Sequence, residues 1–322
     1  MQSEIFGIDV KGNTIMSRKG AALGSVSKAV IPAAGLGARL LSATKEQPKE
    51  MLPLFASEGG MLCLKPAVQQ IFEQLYDFGL REFCIIVGKG KRAIEDHFTP
   101  DRAFVHRLNT RWLSLQAVQL QRLYNRIEQS TIYWANQPEP RGFGHAVLQA
   151  EAFVSEETFL LQAGDTVIMS PTNPIYSRLI ETHFKTGADA TLAIRKVPDP
   201  KRHGIVTIRE SAVGPRVISV EEKPARPKSH LGIMPLYVFS RAIFKSLEKV
   251  KKDRSGEIQL TDAIQGLLDS GHTVQAISLR KNDLRLDIGT PETYWEALEL
   301  SYRMAKPSLK SRRTMRTRDR KA

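Results

Sequence analysis

From Lys28 onward the chain alternates short apolar runs with amphipathic stretches. KAVIPA at 28–33 is an apolar run that ends in small residues. Beyond Lys65-Pro66, Val68, Ile71, Phe72 and Leu75 recur at i, i+3, i+4 and i+7 before Gly79. That spacing predicts a helix with one buried face, opened by a proline and closed by a glycine. EFCIIV at 82–87 is continuously apolar, as a parallel strand covered on both faces should be. Residues 105–130 carry Leu, Val and Tyr at helical spacing among Arg and Gln, predicting one or two helices before a strand in STIYWANQ. A helix at 143–153, a strand at 158–163, a helix at 174–186 and a strand at 188–194 continue the alternation. Such an order predicts an α/β fold, a Rossmann-like doubly wound mixed sheet. From about residue 204 the pattern turns to strands, GIVTIRE, RVISVEEK and GIMPLYVF, which predict a smaller strand-rich subdomain. Helices at 260–269 and 291–304 finish the body, and no internal repeat is visible.

The two ends read differently. Residues 1–27 show neither helical nor strand periodicity and are expected to be a poorly ordered N-terminal extension. The folded domain is then 28–305, followed by a tail at 306–322. Of the chain's net charge of +13, the tail supplies +7, with eight Lys or Arg against one Asp. It has no aromatic for base stacking and little to pack, so it is expected to be a disordered, solvated appendage rather than a nucleic-acid arm. The longest apolar run, Phe83 to Val87, is far short of the roughly 20 residues of a membrane span. The first 27 residues lack the apolar core of a signal peptide, so the expectation is a cytoplasmic protein without a membrane partner. Cys63 and Cys84 have no CxxC spacing or nearby histidine pair, and are expected to be buried thiols rather than a disulfide or zinc site.

Candidate chemistry begins in AAGLGARLLSATKEQPKEMLPL at 33–54, a glycine loop directly after a strand. Leu40 stands where a GxGxxG fingerprint needs glycine, and GxxxxGK[ST] occurs nowhere. What remains is a loop whose glycines let backbone N–H groups approach an anion, with Arg39 and Lys49 within ten residues of each other.

The stretch resembles the sugar nucleotidylyltransferase signature G-x-G-x-R-x-x-P-x-T, and PKEMLP is similar to the bacterial uridylyltransferase branch of that family. QPEPRGFGHAVLQ at 137–149, Gly164-Asp165, Glu222-Lys223-Pro224, GEIQLTDAI at 256–264 and LDIGTPETY at 286–294 extend the resemblance over roughly residues 28–304. It implies attack of a sugar 1-phosphate, here glucose 1-phosphate, on the α-phosphorus of UTP, with release of pyrophosphate. In the implied site Arg39 holds the leaving phosphates and Lys49 neutralises the attacked one, while Ala34, Gly35, Leu36 and Gly37 cradle the triphosphate. Gln137 reads the pyrimidine edge through its amide donor and acceptor, and Gly142 lets the base lie near the backbone. Gly204, Glu222 and Lys223 bind the sugar phosphate, and Asp165 and Asp287 ligate Mg2+. His145 merely repeats the family text and carries no catalytic expectation. Relatives of this kind are commonly oligomeric, which implies a homo-oligomer.

Four positions depart from the family pattern: Ala38 replaces a loop threonine, Ser42 the signature proline, Thr166 a second acid, and Pro235 a glycine at the sugar pocket. Two alternatives stay open on the sequence alone. One is a thymidylyltransferase or a relative using another sugar 1-phosphate, because Gln137 does not separate uracil from thymine. The other is a catalytically silent sugar-nucleotide-binding homologue.

Overall fold

The computed structural model describes residues 14–16, 22–170 and 175–306. Strands β1 (Thr14–Met16) and β2 (Ala22–Ser25) pair antiparallel, with Thr14 opposite Ser25. Neither strand is long enough to show a period in the sequence. Val26 is already fully buried. The other residues before Ala22 and the tail beyond Lys306 lie outside the described residues, so the expectations made for them find no counterpart here.

β3 (Lys28–Ala33) is buried throughout and leads into the glycine loop. The chain then forms a hairpin, β4 (Pro53–Glu58) and β5 (Met61–Pro66), turned by Gly59-Gly60 with both glycines at positive φ. Helix α1 (Ala67–Phe78) follows with Pro66 before it and Gly79 left-handed after it. Its four periodic residues, Val68, Ile71, Phe72 and Leu75, are all fully buried, as the spacing predicts. β6 (Glu82–Gly88) is followed by α2 (Arg92–His97), α3 (Arg102–Thr110) and α4 (Ser114–Glu128), then by β7 (Thr131–Gln137). The helix expected at 143–153 is broken into α5 (Phe143–Leu148) and α6 (Glu151–Val154). β8 (Phe159–Gln162), β9 (Thr166–Met169) and α7 (Ile175–Thr186) complete the first half.

The second half contributes β10 (Ala190–Lys196), β11 (Gly204–Arg209), β12 (Arg216–Glu222) and β13 (Leu231–Phe239). It continues through α8 (Ala242–Lys249), α9 (Leu260–Asp269), β14 (Val274–Ser278), β15 (Leu284–Asp287) and α10 (Pro291–Ala305). Nine strands form one mixed sheet in the order β10-β14-β12-β11-β13-β8-β3-β6-β7, with a further pairing of β10 to β13. The strand-rich stretch expected after residue 204 is present, and it is continuous with the main sheet through β13. Residues 236–239 of β13 pair with β8, while its first residues pair with β11. Pro235 lies where the β10–β13 register shifts, between Ile194–Ile233 and Leu192–Tyr237 pairs, so its missing N–H falls in an interrupted part of the ladder.

Strand alternation explains the apolar runs. Ala29, Ile31, Phe83, Ile85 and Leu160 face one core with α1 and α7, and Val30, Cys84, Ile86, Phe159 and Leu161 face a second with α5, α8 and α9. Helices on both sides leave these strands no polar face. Cys84 is buried as expected, and burial pushes its thiol up to about 12. Cys63, on the hairpin, is only half-buried, which corrects the second thiol expectation. Among the described residues no helix is long and apolar enough to cross a membrane.

Candidate active site

The parallel strands β3, β6, β7 and β8 end at one edge of the sheet. From β3 the chain moves to β6 and β7 on one side and later to β8 on the other. The crevice between the exits of β3 and β8 is therefore the topological switch point, where ligands bind in open α/β sheets. The β8 exit is pinned there: Gly164 N–H donates to the Pro32 carbonyl at 2.9 Å, and a Cβ on Gly164 would lie 3.0 Å from that oxygen.

The loop after β3 is open to solvent, with Leu36 68% exposed and Arg39 also exposed. Arg39 has no salt-bridge or hydrogen-bond partner among the described residues, leaving its guanidinium available to a ligand. Gly37, at φ +69°, is held by Thr44, whose hydroxyl donates to the Gly37 carbonyl at 2.8 Å. A short turn at Lys49–Met51 sends successive side chains to different partners. Lys49 passes Gly35, where a Cβ would meet its Cε at 3.3 Å, and forms an ion pair with Asp165. Glu50 points back into the protein, 1% exposed, and pairs with the buried Lys91 at 2.9 Å. That pair ties the β3 loop to the β6 loop.

Asp165 and Asp287 come together through strand pairing, because β9 and β15 are antiparallel with Thr166 opposite Asp287. The Thr166 hydroxyl lies 3.1 Å from Asp165 Oδ1 and 3.3 Å from Asp287 Oδ1, and Arg285 pairs with Asp287 Oδ2 at 3.1 Å. Burial opposes ionisation of Asp165, but Lys49, the Thr166 hydroxyl and Arg285 outweigh it and hold its carboxyl below the usual range. Burial likewise opposes charge on Lys49, and Asp165, Glu50 and Asp287 reverse that and hold its ammonium above the ordinary value. Burial pushes the Glu50 carboxyl up, against the pull of Lys91 and Lys49. No group of three or more His, Cys, Asp or Glu gathers among the described residues. Two carboxylates bridged by a hydroxyl are nonetheless a hard-oxygen set that suits a magnesium ion held mainly through phosphates.

On the β7 side, Gln137 is buried and its Nε2 donates to the Gly142 carbonyl and to His145 Nδ1, both at 3.0 Å. Nε2 is thus engaged within the chain, while Oε1 has no hydrogen-bond partner among the described residues. Burial and Arg141 lower the His145 pKa, consistent with a neutral ring accepting at Nδ1. Gly142 has a structural duty of its own. At φ +96° and ψ 170° it occupies a region reserved for glycine, and a Cβ would meet the Ile258 carbonyl oxygen at 2.7 Å. The neighbouring backbone is bonded to the same segment, Ile258 N–H to the Arg141 carbonyl and Gly144 N–H to the Ile258 carbonyl. Gly142→Ala is expected to destabilise the chain by about 2–4 kcal/mol through strain and lost docking, read by denaturant unfolding.

On the strand-rich side, Gly204 lies opposite Glu222 in the β11–β12 ladder, and a Cβ there would meet Thr261 Cγ2 at 2.6 Å. Glu222 accepts from the Thr261 hydroxyl at 3.0 Å and pairs with Lys223 at 2.9 Å. Lys223 adopts φ +41°, rare for a side chain other than glycine, and its ammonium is largely exposed. The DIGT turn then opens α10, where the Thr290 hydroxyl accepts from Thr293 N–H and Pro291 takes the first helical position.

Sequence reasoning missed Thr44, Glu50, Lys91, Thr261 and Arg285. Thr44 closes the very signature that names Arg39, and Glu50 lies beside Lys49 in PKEMLP, so both were within its reach. Lys91, Thr261 and Arg285 become visible only through tertiary contact. A separate cavity of about 790 Å³ between α8 and α9, bordered by Lys245, Lys249 and Asp262, contains none of the residues above.

The nucleotidyl transferase family model matches residues 28–302. A UTP–glucose-1-phosphate uridylyltransferase of Staphylococcus epidermidis is 35% identical over 269 residues, covering 82% of this chain and 88% of that protein. The Bacillus subtilis protein of the same name is 36% identical over 247 residues, covering 75% and 80% respectively. Among solved structures, a UDP-glucose pyrophosphorylase in complex with UDP-glucose superposes with a TM-score of 0.74 at 27% identity, over 87% of this chain and 99% of that one. A UTP-bound protein from Acinetobacter baumannii gives 0.75 at 26% identity, over 90% and 98%.

Proposed function

Because the chain belongs to the nucleotidyl transferase family, we propose that it transfers the uridylyl group of UTP to glucose 1-phosphate, forming UDP-glucose and releasing pyrophosphate. The observation that carries this reading is the convergence of Lys49, Asp165 and Asp287 at the switch point, next to an exposed glycine loop bearing Arg39. The alternatives of another nucleotide, another sugar or a silent homologue have no observation of comparable weight.

In the reaction a phosphate oxygen of the sugar 1-phosphate attacks the α-phosphorus, and the bond from that phosphorus to the bridging oxygen of pyrophosphate breaks. The nucleophile is anionic near neutral pH, so no strong base is required; the barrier is assembling several negative charges in line. Lys49 neutralises charge on the attacked phosphate, and Arg39 with the Ala34–Gly37 backbone holds the leaving phosphates. Asp165 and Asp287 would hold magnesium, which supplies further charge neutralisation on phosphate oxygens when bound. Gln137 Oε1 accepts from the base, while Gly204, Glu222 and Lys223 hold the sugar phosphate. Residues 28–305 form the catalytic domain of a cytoplasmic homo-oligomer in this reading.

Pyrophosphate release by the purified chain with magnesium, crossing UTP and dTTP against a panel of hexose 1-phosphates, tests the proposal. Release greatest with UTP and glucose 1-phosphate is expected. A different preferred pair would rename the activity, and no release with any pair would overturn it.

A further inference from the structure

We infer that Arg285 is the cation that receives the phosphate of the acceptor sugar phosphate. The inference rests on the uridylyl-transfer reading and adds a residue to its acceptor side. Arg285 projects from β15, paired through Ile168 to the strand that follows Asp165. One edge of its guanidinium is held by Asp287 at 3.1 Å. Its Nε, in contrast, is buried with no hydrogen-bond partner among the described residues. An unmet donor on a cation is costly inside a protein, and an anion bound beside the guanidinium would lower that cost.

The surroundings indicate what that is. Arg285 stands two residues from Asp287 on β15, which runs beside the strand leaving Asp165, and His203 and Tyr237 of the strand-rich side lie within its electrostatic reach. His203 precedes Gly204, and its carbonyl accepts from Lys223 N–H at 3.1 Å; Tyr237 also senses Glu222. Arg285 therefore stands between the carboxylates of the transfer centre and the residues proposed for the sugar. A sugar 1-phosphate brings up to two negative charges to this point. Lys223 alone meets them poorly, being exposed and already paired with Glu222. A guanidinium presents a planar fork of donors that matches phosphate oxygens, and Arg285 is partly accessible, with 23% of its side chain exposed.

The arrangement has an internal symmetry. Lys49 rests on Asp165 and Arg285 rests on Asp287, so each proposed metal carboxylate is held by a cation that a phosphate can claim. Lys49 serves the donor nucleotide, and Arg285 serves the acceptor.

The test is steady-state kinetics of Arg285→Gln and Arg285→Lys, with calorimetric binding of glucose 1-phosphate to each chain in the absence of metal. Arg285→Gln is expected to raise KM for glucose 1-phosphate about 10- to 100-fold and weaken metal-free binding similarly, with KM for UTP within about twofold. Arg285→Lys should recover part of both losses, since it restores the charge without the fork. An unchanged KM for glucose 1-phosphate with a raised magnesium requirement would overturn the inference, leaving Arg285 as a prop for Asp287. A loss confined to kcat, or undiminished metal-free binding, would overturn it as well. If the parent chain itself released no pyrophosphate, the reading beneath the inference would fall first, so the two failures are separable.

Discussion

Lys49→Met is expected to lower turnover by about 10²- to 10³-fold, on the scale of removing one preorganised donor from a developing charge. The effect should fall in kcat, because in the proposed reaction the ammonium meets charge that builds on the attacked phosphate. It is preorganised at some expense: burial disfavours its charge, and Asp165, Glu50 and Asp287 restore it. Removing it strands Asp165 in a buried setting, which costs about 3–5 kcal/mol unless the carboxyl takes up a proton. The variant should therefore melt lower while keeping the far-ultraviolet circular dichroism of the parent. Turnover within threefold of the parent would remove Lys49 from the mechanism.

Asp165→Asn is expected to lower activity by at least as much, because it removes the partner of Lys49 and one of two proposed magnesium carboxylates together. Equilibrium binding of Mn2+, followed by electron paramagnetic resonance, should weaken in parallel with turnover. The Lys49→Met/Asp165→Asn double variant should be little worse than the weaker single, since groups that act as a unit lose their contribution once. Multiplicative losses would mean that the two act separately. The pair also fixes an acid limit on stability. The folded Asp165 carboxyl titrates below its unfolded value of 3.8, so its stabilisation is complete above that pH and is lost as pH falls through the lower folded value. Lys49, raised above 10.5, loses its share only as pH rises beyond that point. Neither loss reaches the neutral range.

Elements that bury one face or both were legible in the sequence, because burial imposes a period: the four residues of α1 and the apolar run of β6 lie as spacing predicts. The hairpin at 53–66 was not read, although Gly59-Gly60 between two runs is a hairpin signal. Its residues alternate only partly, since both sides of this ribbon meet protein at some points and solvent at others. Helix 143–153 divides at Gln149–Ala150, where the backbone tightens to i→i+3 hydrogen bonds from Gln149 N–H to the Ala146 carbonyl and from Ala150 N–H to the Val147 carbonyl, a change that side-chain periodicity does not report. Chemistry and signature together single out Arg39, Lys49 and Asp165 in the sequence, and the fold joins Lys49 and Asp165, 116 positions apart, in one ion pair. Gln137 shows the limit of such reading: the residue type suggested two hydrogen bonds to a base, and local packing had already taken the donor half. Thr166 shows the converse. Its lack of a carboxylate read as a loss, whereas its hydroxyl bridges the two aspartates that strand pairing brings together.

The contact of Gly142 and Gly144 with residues 256–259 bears on how specificity can change. Ile258 is bonded to the loop that carries Gln137's partners, and three residues later Thr261 touches both Gly204 and Glu222. In the proposed reading, choice of base and choice of sugar are therefore coupled through one shared strut. A graft that exchanges only 137–149 would set a foreign loop against an unmatched seat, while exchange of 137–149 together with 256–261 would carry the fitted pair. Substrate repertoires in this architecture should drift in coupled steps, with nucleotide and sugar preferences moving as a linked trait.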